Sequence, residues 1–331
     1  MEITHYMETH SVNPTYNLAF EEYVLQNFPH GNILILWQNA PSVIIGRNQN
    51  TSEEINAYFL NEHRIHVVRR NTGGGAVYHD LGNLNYSFIT NGNCLGENTL
   101  TPFLEPVVRA LQSLGLDANA TGRNDILISG KKISGTAQQF NKGRILHHGT
   151  LLFDSDLNVI GNALKPDATK FQSKSVKSVR NRVGNIRDFL TDDMELTAFW
   201  TYLKKYLTSE HTELLELSAT DKEKIKKLQK EKYESWDWNY GKSPNCQMAF
   251  RNRFSGGLLD IRLSAENQKI TQLQIRGDFL AISPIADLEN ALIGCPYLPE
   301  GLNKALDTLP LSQYLGNITR EEFIKTLLGE I

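Results

Sequence analysis

Between residues 32 and 153 the chain strings seven short extended segments together, at 32–37, 42–47, 63–70, 84–90, 124–129, 131–136 and 145–153. A single helical pattern, 101–114, breaks the series. Parallel neighbours need a crossover of a dozen or more residues, and three of the six gaps are far shorter. Several segments also alternate polar and apolar residues, which marks a sheet with one buried face. The spacing therefore predicts an α+β fold built on an antiparallel or mixed sheet rather than repeated strand-helix-strand units. Helix 101–114 opens at Thr101-Pro102 and closes at Gly115. An earlier helix is capped by Asn13 with Pro14 in its first turn, and its apolar stripe of Ala19, Phe20, Tyr23, Val24 and Phe28 is expected to cover the sheet.

The pattern weakens over 165–187. TKFQSKSVKSVRNRVGNIR carries Lys170, Lys174, Lys177, Arg180, Arg182 and Arg187 with no acidic residue. Helical patterns follow at 191–208 and 220–232, then an aromatic connector, YESWDWNYGKSPN. From about Asn245 a new unit begins with three strands separated by Gly-Gly and polar turns, followed by helices. A boundary near 243–247 is expected, dividing a larger unit, 1–244, from a smaller one, 245–331.

With a formal net charge of −3 over 331 residues and a pI near 6.3, no global field draws the molecule to nucleic acid or a membrane surface. Any anion must be recognised locally. The N-terminus lacks a signal-peptide pattern and no apolar run approaches a spanning length, so a cytoplasmic protein with no membrane or nucleic-acid partner is expected. Cys94, Cys246 and Cys295 form no paired framework, which predicts reduced thiols. A monomer is expected.

Three stretches carry chemistry. In RRNTGGGAVYHD, residues 69–80, three adjacent glycines cost backbone entropy, and are useful where the chain needs positive φ or where a ligand approaches the backbone. Successive amides in such a turn form an anion nest, to which Arg69 or Arg70 adds charge. Neither G-x-x-x-x-G-K-[ST] nor G-x-G-x-x-G is present, which excludes the common nucleotide fingerprints. GRNDILISGKKISGTAQQF, residues 122–140, reads as a hairpin turning at Ser129-Gly130 or Gly130-Lys131. Either two-residue loop pairs Asp125 with Ser134 or Thr136 and puts it on the face of Lys132, a lysine able to orient on a carboxylate or phosphate; a three-residue loop would separate them. In LHHGTLLF, residues 146–153, His147 and His148 point to opposite faces and cannot chelate one metal together. No zinc pattern, nucleophile elbow or local Cys-His signature is present.

In this order, RRNTGGGAVYHDLGNLNYSF, GRNDI, KKISGTAQQF, HHGTLL and SVKSVRNRVGN resemble the lipoate–protein ligases, which activate lipoic acid with ATP and attach it to a lysine of lipoyl domains. The resemblance implies the α+β catalytic domain shared by lipoate and biotin ligases over about 1–244, followed by the accessory domain of the bacterial enzymes. By resemblance, Arg70, Thr72, Gly73, Gly74 and Gly75 surround the lipoyl carboxyl end and the adenylate, while Trp37, Val77 and His79 help line the pocket. Lys132 is the central lysine, with Asp125, Ala137, His148 and Thr150 nearby, and Lys174, Val176, Lys177 and Arg180 belong to an adenylate-binding loop. Thr72 stands where Ser is expected, keeping the hydroxyl. The implied cosubstrate is ATP with Mg2+, for which Asp125 is the candidate ligand. The implied partners are lipoyl domains of E2 subunits and glycine-cleavage H-type carriers. Two competing readings are an ATP-independent octanoyl or lipoyl transferase using Cys94 as nucleophile, and a non-catalytic lipoate-binding or carrier-binding module.

Overall fold

The computed structural model describes residues 2–92, 100–121, 124–164, 182–240, 248–267 and 269–329. The fold is α+β with a mixed sheet, as the short gaps required. Strands β1 (His5–Glu8), β2 (Ile33–Trp37), β3 (Ser42–Ile45), β4 (His66–Arg69), β5 (Val77–His79), β6 (Asn83–Asn91), β7 (Ala118–Thr121), β8 (Asp125–Ile128), β9 (Lys131–Asn141), β10 (Arg144–Leu152) and β11 (Glu213–Leu214) build two sheets. The larger has eight strands in the order β11-β1-β2-β6-β10-β9-β8-β7, and the smaller has the order β4-β3-β5. Most pairs are antiparallel; β1 runs parallel to β2 and β11, and β3 parallel to β4.

One face of the large sheet packs on the helix Thr101–Gln112 and the helix Leu196–Leu207, through a core that includes Tyr86, Phe88, Phe103, Phe153 and Phe199. The other face carries α1 (Pro14–Asn27), started as expected by Asn13, whose Oδ1 accepts from the amides of Thr15 and Tyr16. This helix is not one-sided. Beyond the expected stripe it buries Asn17, Glu21 and Glu22, because the helix Ala219–Leu228 and the π-helical turn Gln229–Tyr233 cover its outer side. Tyr23 donates to Asp221 at 2.7 Å and Lys232 meets Glu22 at 2.8 Å.

Two strand expectations and one helix expectation need correction. The segment 63–70 begins as the end of the helix Ala57–Glu62, and Arg64 takes a φ of 54° before β4 starts at His66. Strand β9 continues past 136 to Asn141 and turns into β10 through Lys142-Gly143, both at positive φ. Helix 191–208 starts only at Leu196.

The accessory unit has the expected three strands, β12 (Met248–Phe254), β13 (Gly257–Glu266) and β14 (Lys269–Gly277), in one antiparallel sheet. Four helices, Ile285–Leu292, Pro299–Leu306, Leu311–Leu315 and Arg320–Leu328, follow. They close a separate core around Ile261, Phe279, Leu288 and Phe323. The expected boundary, 243–247, lies outside the described residues. No described helix is long and apolar enough to cross a membrane.

Candidate active site

A cleft of about 290 Å3 opens between the large sheet, the glycine turn and the accessory unit. Strand register explains its floor. Trp37 pairs with Asn85 and Asn85 with Thr150, Thr150 Oγ1 accepts from the Gly135 amide at 3.2 Å just past the last β9–β10 pair, and Gly135 pairs with Asp125. These residues form one row across β2, β6, β10, β9 and β8, pointing to one face because each is opposite the next. Trp37, Asn85, Thr150, Gly135 and Asp125 all line the cleft, as do Lys132, Ala137 and His148. The roof is Ile44 and Leu18 with Gly74, Gly75 and Val77 of the glycine turn and the strand after it.

The β8–β9 hairpin turns at Ser129-Gly130, whose φ values of 49° and 81° suit a two-residue loop. A bulge between Ile126 and Leu127 then slips the pairing by one, so Asp125 lies opposite Gly135 rather than Ser134 or Thr136. The expected register is therefore corrected, although the expected meeting survives. Lys132 reaches back over Gly135, where a Cβ would lie 3.2 Å from Nζ, and stands 2.7 Å from Asp125 Oδ1. The approach is an ion pair without hydrogen-bond alignment, and both side chains keep about a third of their exposure. The ammonium thus remains open to an anion in the cleft.

The two arginines separate. Arg69 turns away from the cleft and donates to the carbonyls of Gly46, Arg47, Gln49, Trp238 and Asn239 and to Thr51 Oγ. Arg70 lines the cleft, but its Nη2 donates to the carbonyls of Gly73 and Gly75 at 2.6 and 2.9 Å, Nη1 to Ile44 O and Nε to Thr72 Oγ. Its charge shapes the turn. Burial pulls both guanidiniums down to about 10.

The glycines have distinct jobs. Gly74 takes a φ of 90°, and its amide donates to Phe279 O at 3.1 Å. A Cβ on Gly73 would meet the same carbonyl oxygen at 2.7 Å. Gly73 and Thr72 do not line the cleft; they lie beneath it, against the accessory unit and His148 respectively. Asp278 and Leu280 of the accessory unit complete the wall.

His147 and His148 do point to opposite faces. His147 stacks on Phe103 at 4.9 Å in the core, where burial pulls its pKa down to about 3. His148 faces the cleft and bridges Glu21 and Thr72. His79 lies edge-on to Trp37 and is likewise pulled down to about 3, by burial and then by the Arg70 charge. Asn17 Nδ2 donates to Asn39 Oδ1, so Asn39 Nδ2 donates to His79 Nδ1 and the His79 proton sits on Nε2.

Lys174, Val176, Lys177, Arg180 and Cys94 lie outside the described residues. Arg187, part of the same basic stretch, pairs with Asp154, Asp193 and Glu195, so its charge is already answered. Among the described residues no group of three or more His, Cys, Asp or Glu is placed to hold a metal. Sequence reasoning missed Leu18, Ile44, Asn85 and the pair Glu21 and Ser87, which sit beneath the cleft, together with Asp278 and Leu280. The apolar spacing of α1 was the available signal for Leu18; none existed for the last two.

Residues 13–208 match the family described as the lipoyl protein ligase A/B catalytic domain, and residues 243–327 match the bacterial lipoate protein ligase C-terminus. Lipoate–protein ligase 1 of Staphylococcus aureus is 45% identical over 318 residues, covering 95% of this chain and 97% of the relative. The structure of P. falciparum LipL1 in complex with lipoate superposes with a TM-score of 0.80 at 25% identity, covering 99% of this chain and 98% of that one. A lipoate–protein ligase A bound with ATP gives 0.61 at 29% identity, over 73% of this chain and 99% of its own.

Proposed function

The chain belongs to the lipoate–protein ligase family, and from that premise we propose that it joins lipoate to ATP in the Trp37–Lys132 cleft and passes the lipoyl group to a carrier-domain lysine. It is an ATP-dependent ligase. The observation that carries the site assignment is the row of side chains on the sheet. Lys132 hangs over Gly135 on β9 and Trp37 closes the row on β2, three strand spacings away, or roughly 14 Å. A cation at one end and an indole at the other suit an acid with a long apolar tail.

In the first step the lipoate carboxylate, held at Lys132, attacks the α-phosphorus of ATP, and the bond to the pyrophosphate oxygen breaks. Lys132 neutralises charge where two anions must meet, while Asp125 keeps its ammonium over the cleft. In the second step a neutral lysine amine attacks the acyl carbonyl of lipoyl-AMP, loses a proton and expels AMP. Neither step needs a protein nucleophile. Lone Asp125, already paired with Lys132, does not make a metal cage, so Mg2+ fits best as an ion carried in by the ATP phosphates. By family resemblance, Lys174, Val176, Lys177 and Arg180 supply contacts to the adenylate, and the carriers are lipoyl domains of E2 subunits and glycine-cleavage H-type proteins. The setting is the cytoplasm.

Incubating an apo-lipoyl domain with lipoate, ATP and Mg2+ is expected to add one lipoyl mass to one lysine. Lys132→Ala should abolish lipoate-dependent ATP–pyrophosphate exchange while leaving the fold intact. Near-normal exchange in that variant would sink the role given to Lys132. Replacing Lys174, Lys177 and Arg180 with neutral residues should raise the KM for ATP, and an unchanged KM would remove that stretch from the site.

A further inference from the structure

We infer that Glu21, a buried residue of α1 that does not line the cleft, is a positioning residue that fixes both Trp37 and the base of the glycine turn. The inference rests on the ligase reading of the cleft. Two runs of hydrogen bonds converge on its carboxylate. In one, Trp37 Nε1 donates to Ser87 Oγ at 2.9 Å and Ser87 Oγ donates to Glu21 Oε1 at 2.6 Å. In the other, Arg70 Nε donates to Thr72 Oγ at 2.9 Å, Thr72 Oγ meets His148 Nε2 at 2.8 Å, and His148 Nδ1 meets the Glu21 oxygens at 2.9 and 3.0 Å.

The directions of these bonds are set by chemistry. An indole N–H only donates, so Ser87 accepts from Trp37 and its own hydrogen is left for Glu21. A guanidinium Nε–H only donates, so Thr72 accepts from Arg70; a carboxylate only accepts, so His148 Nδ1 gives its hydrogen to Glu21, and in that tautomer Nε2 takes the Thr72 hydroxyl hydrogen. Each run therefore ends as a donor at the same carboxylate. Only a group that accepts on both sides and donates on neither satisfies this arrangement.

A buried carboxylate is expensive unless its partners are all in place. Here all of them reach the cleft or its base. Trp37 forms the far end of the row, His148 the middle of the floor, and Thr72 with Arg70 the underside of the glycine turn. Glu21 thus ties the tail end of the substrate site to the turn. Ser87 meets Oε1 and His148 meets both oxygens, so Glu21→Gln, with nearly the same volume, would set an amide N–H against His148 Nδ1 in either orientation. When the imidazole answers by taking the Nε2–H tautomer, Thr72 loses its acceptor.

The test is lipoate-dependent ATP–pyrophosphate exchange on the full chain, with the His148 tautomer read from long-range 15N–1H spectra of histidine-labelled protein. In the unsubstituted protein His148 is expected as Nδ1–H. Glu21→Gln should raise the KM for lipoate about tenfold or more through misplacement of the cleft wall, with the KM for ATP within about twofold. The His148 spectrum should change with it. A purely structural role would lower the melting temperature and move neither quantity, and that result would overturn the inference. If Glu21→Gln does not fold, Ser87→Ala cuts the Trp37 run alone. It should raise the KM for lipoate with His148 still Nδ1–H, and an unchanged KM overturns the inference. Lack of exchange in the unsubstituted protein would instead overturn the ligase reading.

Discussion

Arg69 and Arg70 look interchangeable as letters, yet every nitrogen of both guanidiniums is already bonded inside the protein, and only Arg70 borders the cleft. Arg70 uses its fork to gather the carbonyls of Gly73 and Gly75. Lysine cannot span that geometry. Arg70→Lys is therefore expected to destabilise the fold by about 3 kcal/mol in chemical denaturation, through unpaired buried carbonyls, and a loss near zero would show the turn holds itself. His79 and His147 set the acid limit. Each is held near 3 when folded and returns to about 6.5 when unfolded. Between those values the unfolded chain binds protons that the folded chain refuses, so stability falls as pH falls, by about 1.4 kcal/mol per pH unit from each ring once the pH is below about 5.5. His147→Phe, which keeps the stack on Phe103, should make that slope shallower by one proton in denaturation curves between pH 6 and 4. An unchanged slope would mean that His147 charges freely in the folded state.

The β8–β9 hairpin shows what a segment can and cannot announce about itself. A two-residue turn around Gly130 is legible because glycine takes positive φ cheaply, whereas the choice of Ser129-Gly130 over Gly130-Lys131 comes only from the structure, where Ser129 also has positive φ. The bulge above it is not. No letter in ILISGKKISG marks it, and its effect is to leave Gly135 facing Asp125 and clear a path for the Lys132 stem. Gly135→Ala tests that path. Its methyl would sit 3.2 to 3.3 Å from Nζ and Cε of Lys132, so the flexible side chain moves rather than the strand. The expected result is a fall in kcat for adenylation of about tenfold, with the melting temperature within a few degrees. A variant equal to the parent in kcat would show that Lys132 does not need this route. Helix α1 follows the same pattern. Its start at Asn13-Pro14 and its stripe are local facts, whereas the burial of Glu21 and Glu22 depends on Ser87, His148 and Lys232, which the fold brings from far along the chain.

At the scale of the molecule, the catalytic and accessory cores are separate clusters, and the two units meet where the glycine turn receives the segment after β14. Gly277 donates to Asn48 O, Gly74 donates to Phe279 O, and Asp278 with Leu280 close the cleft wall. The sequence marks the accessory unit through its three strands, but not this contact, since nothing in GDFL indicates a surface about 200 residues earlier. The contact makes the accessory core part of the substrate site at a distance. Phe323 is fully buried in that core and touches nothing in the cleft. Phe323→Ala should lower the stability of the accessory unit by about 3 to 5 kcal/mol, seen in calorimetry as one transition moving while the catalytic unit's stays. The loosened wall should then raise the KM for lipoate by about fivefold, the worth of roughly 1 kcal/mol of apolar contact at Leu280. The KM for ATP should change little, because the Lys132 end is built entirely from the catalytic sheet. If the accessory transition moves and lipoate binding does not, Asp278 and Leu280 stand at the wall without shaping what the cleft accepts.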